Sequence, residues 1–248
     1  FPGILGRVCD RPCEPACRRG RVDSEPVAIC RLKRVAADLK DDIRDRLPRP
    51  AKRNGKRIAC VGAGPASLTV ARDLSVLGYQ VTVFDNGAAP GGMMRSQIPK
   101  FRLPDEVIDE ECAYIVGLGV ETRYNQWVGS LRDLLADGWD AVFVGTGAPR
   151  GRDAPIPGRQ EAAKHIHIGI DWLANVAFGH TTKISRRVIV LGGGNTAMDC
   201  CRSARRLGGE DVKVIVRSGF EEMKASPWEK EEAIHEGIPI LNMRVPKE

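Results

Sequence analysis

The sequence predicts an α/β chain in which two similar strand–turn–helix–strand units follow a short helical segment rich in cysteine. Three observations predict it. Arg57-Ile58-Ala59-Cys60-Val61 is a short apolar run that stops at a glycine turn, Arg187-Val188-Ile189-Val190-Leu191 does the same, and four of the eight cysteines fall within the first thirty residues. A short apolar run bounded by turn residues reads as a buried strand, and apolar residues at spacings of three and four read as a helix.

Residues 1–30 carry Pro2, Pro12, Pro15 and Pro26, which rule out long helices there. Leu32, Val35, Ala36, Leu39 and Ile43 then recur at helical spacing, giving an amphipathic helix that stops before Pro48. The basic run from Arg46 to Arg57 is broken by Pro48, Pro50 and Gly55 and reads as a solvated linker; an acidic redox partner is its other use. Beyond it, 57–61 is a strand, Ala66 to Leu77 a helix and Gln80 to Phe84 a second strand, a βαβ unit of about thirty residues. A helix follows from Pro104 to about Gly117, with a buried strand at Asp140 to Val144. The cycle repeats as a strand at 187–191, a helix from Thr196 to Leu207 and a strand from Asp211 to Val216. The two turn glycines, Gly62 and Gly192, lie 130 positions apart, which favours two domains of one architecture over one sheet. Three segments are expected: a cysteine-rich one over 1–50, the first part of one nucleotide domain over 51–150, and an incomplete second one over 151–248.

Gly62-Ala63-Gly64-Pro65-Ala66-Ser67 joins a strand to a helix. The first glycine allows a tight turn and the second lets the backbone approach a pyrophosphate, while the helix amino terminus offers free N–H groups and positive dipole. Asp85 ends the next strand 23 residues after Gly62, where a carboxylate accepts hydrogen bonds from the hydroxyls of an adenosine ribose. A merely structural turn leaves Asp85 unexplained. Gly192-Gly193-Gly194-Asn195-Thr196-Ala197 repeats the arrangement, but Arg217-Ser218 stands where the acid would be. An arginine beside a hydroxyl suits a ribose 2′-phosphate, which an acid would repel, so the second loop leans toward NADP over NAD; a surface arginine at a strand end is the plainer alternative.

Cys9, Cys13, Cys17 and Cys30 form a C-x₃-C-x₃-C-x₁₂-C pattern. Thiolates without an accompanying histidine point to an iron–sulfur centre or a Cys₄ zinc, and the spacing is not the paired C-x₂-C of a zinc ribbon. Cys30 is open between ligand and buried thiol. The remaining cysteines form no C-x-x-C. No apolar stretch of about 18 residues and no signal peptide is present, so a cytoplasmic protein without a membrane span is expected. The net charge of +6 is interleaved with acids almost everywhere, against nucleic-acid binding.

These two loops, with the string from Gly91-Gly92-Met93-Met94-Arg95 to Phe101-Arg102-Leu103-Pro104, resemble the small subunit of glutamate synthase and its relatives, which include dihydropyrimidine dehydrogenase and diaphorase subunits of redox complexes. The resemblance also takes in Gly6 to Cys9, Thr146-Gly147, Gly192 to Asp199 and Met223 to Gly237, almost the whole chain. It implies two Rossmann-like dinucleotide-binding domains, FAD on the first loop and NAD(P)H on the second, behind an iron–sulfur segment. FAD then falls to Gly62, Gly64, Pro65, Ala66 and Asp85, with Gly92, Arg95, Thr146 and Gly147 lining the flavin, and NAD(P)H to Gly192, Gly194, Asn195, Thr196, Arg217 and Ser218. It further implies that Cys9, Cys13 and Cys17 serve [4Fe–4S] clusters together with cysteines further upstream, and that electrons pass to a partner subunit carrying iron–sulfur or other metal centres. The chain departs from the family at Gly145-Thr146-Gly147, where Ala-Thr-Gly is usual, at Gln97, where a glycine is usual, and at Ser218, where a second arginine is frequent. A non-catalytic nucleotide-binding scaffold, or a dehydrogenase with a Cys₄ zinc module, are the alternatives. The start at Phe1 and the end at Pro246-Lys247-Glu248 in mid-pattern carry the expectation that both ends continue, and the resemblance implies a returning carboxy-terminal segment that covers the flavin and carries a Gly-Asp pair on its ribityl phosphate side.

Overall fold

The computed structural model describes residues 1–247, which fall into two compact units. The first takes in residues 1–95 and 100–147, and the second residues 96–99 and 148 onward.

The first unit opens with α1 (Pro2–Val8) and α2 (Ile29–Asp38). Proline at the first turn of α1 costs nothing, since its missing N–H would be unpaired there in any case. Two of the N–H groups left over at that end, those of Gly3 and Ile4, donate to the carboxylate of Glu111 at 2.7 and 3.0 Å. Glu111 is 4% exposed, so a buried acid fastens the cysteine segment to the nucleotide unit at a helix end that favours negative charge. Gly6 lets α1 lie directly on α2, because a Cβ there would stand 2.7 Å from the Cα of Arg34.

That contact line sets which face of α2 is covered. Cys30 and Ala37 are buried, whereas Leu32, Val35 and Leu39, the apolar stripe the periodicity assigns to a core, are all exposed. The helix forms where its spacing predicts it, but it ends at Asp38 and turns its other face inward.

The chain continues through β1 (Arg57–Val61), α3 (Pro65–Val76), β2 (Gln80–Phe84), α4 (Met93–Ser96), α5 (Asp105–Val116), β3 (Glu121–Arg123), α6 (Leu131–Ala136) and β4 (Ala141–Val144). The sheet is parallel in the order β3-β2-β1-β4, in register Ile58↔Val81 and Ile58↔Ala141. Parallel strands are covered on both faces, which is why β1 and β2 are runs of apolar residues and not alternations; Ala59, Cys60 and Val83 are fully buried.

In the second unit α7 (Gly169–Ala177) precedes β5 (Arg187–Leu191), α8 (Asn195–Arg206), β6 (Asp211–Ile215), α9 (Pro227–His235) and β7 (Ile240–Leu241). The sheet order is β5-β6-β7, again parallel. Its core gathers Met198, Cys201, Val214, Ala233 and Ile238. Among the described residues β5 has a strand on one side only, and Ile189 and Leu191 on it are 63% and 41% exposed.

Candidate functional site

The first glycine loop leaves β1 at Val61 and enters α3 at Pro65. Gly62 has φ +98°, and a Cβ on it would stand 2.5 Å from the carbonyl oxygen of Gly145, so no other residue fits. A Cβ on Gly64 would meet nothing within 4 Å, so backbone at the mouth of α3 faces open space. Pro65 takes the first helical position and Ala66 is exposed beside it.

Asp85 turns back onto this loop. Its carboxylate accepts the N–H of Ala63 at 2.5 Å and that of Gly87 at 2.6 Å. The Gly91-Gly92 turn closes from another side: Gly91 N–H donates to Ala63 O at 2.8 Å, and a Cβ on Gly92 would stand 2.9 Å from the Cα of Gly64. Thr146 and Gly147 are exposed just beyond β4, next to Gly62. Gly62, Gly64, Asp85, Gly92 and Thr146 therefore meet at the carboxyl end of one parallel sheet, where open α/β sheets bind ligands. Arg95 is occupied differently. Its guanidinium donates to Pro90 O at 3.0 Å, Asp105 at 3.4 Å and Asp109 at 2.5 Å, tying the Gly91-Gly92 turn to α5.

Ser67, in the third place of the glycine loop, and Gly145, where the family usually has alanine, are related. Ser67 is fully buried, and a Cβ on Gly145 would stand 2.1 Å from its Oγ. A serine in the third place of the loop requires a glycine opposite it.

The second loop repeats the design. Gly192, at φ +132°, donates its N–H to Ile215 O at 3.0 Å, and Gly194 at the start of α8 again faces open space. Thr196 is exposed at that helix mouth. Asn195 holds the loop: its Oδ1 accepts the Ser226 N–H at 2.8 Å and its Nδ2 donates to Ser226 Oγ at 3.3 Å, while Ala225 N–H donates to Gly193 O at 2.9 Å. Nothing in the sequence signals Ser226 as a partner 31 residues away. Arg217 is exposed and Ser218 half-buried, both just past β6.

The cysteine segment does not assemble as its spacing predicts. Among the described residues no three His, Cys, Asp or Glu side chains gather as a metal site. Cys9 Sγ accepts the Arg11 N–H at 3.4 Å and Cys13 is exposed. The Cys17 thiol is held below its ordinary pKa by backbone N–H groups of Val27 and Arg19. Cys30 is 3% exposed and donates its thiol proton to the carbonyls of Gly6 and Leu5 at 3.4 and 3.6 Å, the role of a buried thiol capping α1. As folded here these residues do not fit a cluster. No helix among the described residues is long and apolar enough to cross a membrane.

A glycine turn at the end of a parallel strand, opening a helix onto empty space and present twice, defines an α/β protein built for dinucleotides. The chain belongs to the pyridine nucleotide-disulphide oxidoreductase family, which it matches over residues 56–248. It is 38% identical to the beta subunit of an NADP(+)-dependent formate dehydrogenase of Moorella thermoacetica, over 95% of this chain and 37% of that protein. It is 36% identical to a homolog of the PreT subunit of NAD-dependent dihydropyrimidine dehydrogenase of Salmonella typhi, over 96% of this chain and 59% of that one. Among solved structures, a 2-naphthoyl-CoA reductase shares the fold with a TM-score of 0.63 at 18% identity, over 83% of this chain and 30% of that one. The chain thus spans between about a third and three-fifths of the two curated relatives.

Proposed function

We propose that this chain holds FAD on the Gly62–Ala66 loop and NADPH on the Gly192–Thr196 loop, and serves as the electron-transfer module of a larger cytoplasmic oxidoreductase with a partner subunit. The observation that supports it is the pair of open helix mouths at Gly64 and Gly194, where a Cβ would meet nothing within 4 Å and a helix amino terminus favours an anion.

The residues divide the work. Gly62 and Gly64 bring the α3 amino terminus to the FAD pyrophosphate. Asp85, already fixed by two backbone N–H groups, presents its carboxylate to the adenosine ribose, and the Gly91-Gly92 turn, held by Arg95, with Thr146 and Gly147 forms the flavin side. Gly192, Gly194 and Thr196 receive the second pyrophosphate, Asn195 fixes that loop, and Arg217 with Ser218 reads the 2′ position. FAD, when bound, accepts a hydride from a reduced nicotinamide and releases electrons singly. The two relatives differ in their named coenzyme, and Arg217 beside the Ser218 hydroxyl is what supports NADPH for this chain.

Disulfide chemistry, part of the family's name, is a poor fit. Burial pushes the thiols of Cys60 and Cys112 up to about 11 and those of Cys200 and Cys201 up to about 12, which withholds the thiolate. Iron and acid-labile sulfide in anaerobically purified protein would support the [4Fe–4S] assignment of Cys9, Cys13 and Cys17, and zinc would refute it.

The function is tested by a visible spectrum. Flavin bands bleached by NADPH are expected, and Asp85→Ala is expected to lower FAD affinity tenfold or more, since hydrogen bonds to a charged acceptor contribute about 1.5–3 kcal/mol each. Full flavin occupancy in Asp85→Ala, or flavin that NADPH and NADH leave oxidised, would overturn the assignment.

A further inference from the structure

β6 and β7 run in the register Val214↔Ile240 and Ile215↔Leu241, and their pairing continues past both strand ends. Val216 N–H donates to Leu241 O at 3.0 Å, so an unbroken parallel ladder would have residue 243 donate to Val216 O. Arg244 donates instead, at 3.1 Å. One residue too many has been fitted in. Met243 absorbs it with φ +55°, a left-handed conformation unusual for methionine, and turns its N–H to Ser218 O at 3.3 Å, where Asn242 Nδ2 also donates at 3.0 Å.

This is a bulge, and bulges re-aim side chains. Without it the N–H of Met243 would meet the carbonyl of Val216, the residue before Arg217; with it, that of Arg244 does. Both arginines are exposed, and among the described residues neither makes an ion pair; Glu222 of the following turn is engaged by the Gly219 N–H at 3.0 Å. Two exposed arginines anchored one residue apart along the same strand end bring like charges near each other, and a doubly charged anion between them would offset that repulsion. Arg217 stands two residues beyond Ile215, whose carbonyl receives the Gly192 N–H of the glycine turn.

We propose that Arg244 is a specificity-determining residue that joins Arg217 and Ser218 in holding the 2′-phosphate of NADPH, supplying the second cation that Ser218 does not. The proposal rests on the reading of the second loop as an NADPH site. Arginine suits this task because its planar fork meets phosphate oxygens two at a time.

Titration calorimetry of the full chain with 2′,5′-ADP and with 5′-AMP tests it. Arg244→Ala is expected to weaken 2′,5′-ADP about tenfold or more and leave 5′-AMP unchanged. Met243→Gly, which keeps the extra residue, is expected to leave both unchanged. An Arg244→Ala protein that binds 2′,5′-ADP like wild type while Arg217→Ala does not would overturn the role of Arg244 and leave the NADPH reading standing. Equal weakening toward both ligands would reduce Arg244 to a general surface charge and also overturn it. A wild-type protein that binds 2′,5′-ADP no tighter than 5′-AMP would remove the NADPH reading itself.

Discussion

A serine in the third place of the first loop and a glycine at 145 look unrelated until their atoms are placed together. Ser67 Oγ occupies the volume that an alanine at 145 would need, and it is buried without a hydrogen-bond partner. Gly145→Ala is therefore expected to destabilise by about 1–3 kcal/mol through overpacking. In a Ser67→Ala background the same substitution should cost less by at least about 0.5 kcal/mol. Urea midpoints of the four proteins check this, and strict additivity would show that the two positions do not meet. At this scale the sequence was legible where backbone geometry dictates the residue, as at Gly62, Gly192 and the position of Asp85. It was not legible where a side chain chooses among partners: Arg95 goes to Asp105 and Asp109, Asn195 to Ser226, and Cys30 to the carbonyls of α1. The N–H of Arg244 comes to Val216, beside Arg217, through a single inserted residue, which no spacing rule anticipates.

The strands and long helices were legible as elements because apolar runs and helical spacings are local properties. Which face each one buries is decided by neighbours, and α2 turned the face opposite to its apolar stripe inward because Gly6 admits Arg34. The joint between α8 and α9 was also invisible in the sequence. Arg202, 5% exposed, donates to Glu229, Glu232 and Glu236 at 3.1, 2.7 and 2.8 Å. Burial opposes the charge of Glu236, but Arg206 and Arg202 outweigh it and hold its carboxyl below the ordinary 4.5. A carboxylate with a depressed folded pKa adds stability above its unfolded value, and that stability is lost as pH falls through the folded one. Arg202→Ala is accordingly expected to cost about 3–5 kcal/mol near neutral pH, because it removes the buried cation that Glu229 and Glu236 share. The gap to wild type should close below about pH 4.5, as protonation removes the same interactions from the wild-type protein. Urea unfolding across a pH series measures it, and a gap independent of pH would assign the loss to packing alone.

For the molecule as a whole, the repetition of one nucleotide-binding plan was legible, since two glycine turns followed by helices appear at matching places. How far each sheet extends was not, because an apolar strand reads alike at a centre and at an edge. β5 is such a strand, with Ile189 and Leu191 turned to solvent and, among the described residues, one row of backbone donors and acceptors without a neighbouring strand. The consequence is colloidal. Molecules of this chain in isolation should attract one another, giving light-scattering intensity that rises faster than concentration, more steeply on warming as apolar association strengthens. Ile189→Lys should turn that attraction into repulsion at low ionic strength while leaving the unfolding midpoint within about 0.5 kcal/mol of wild type, as expected for an exposed position. Scattering unchanged by the lysine would place the stickiness elsewhere on the surface.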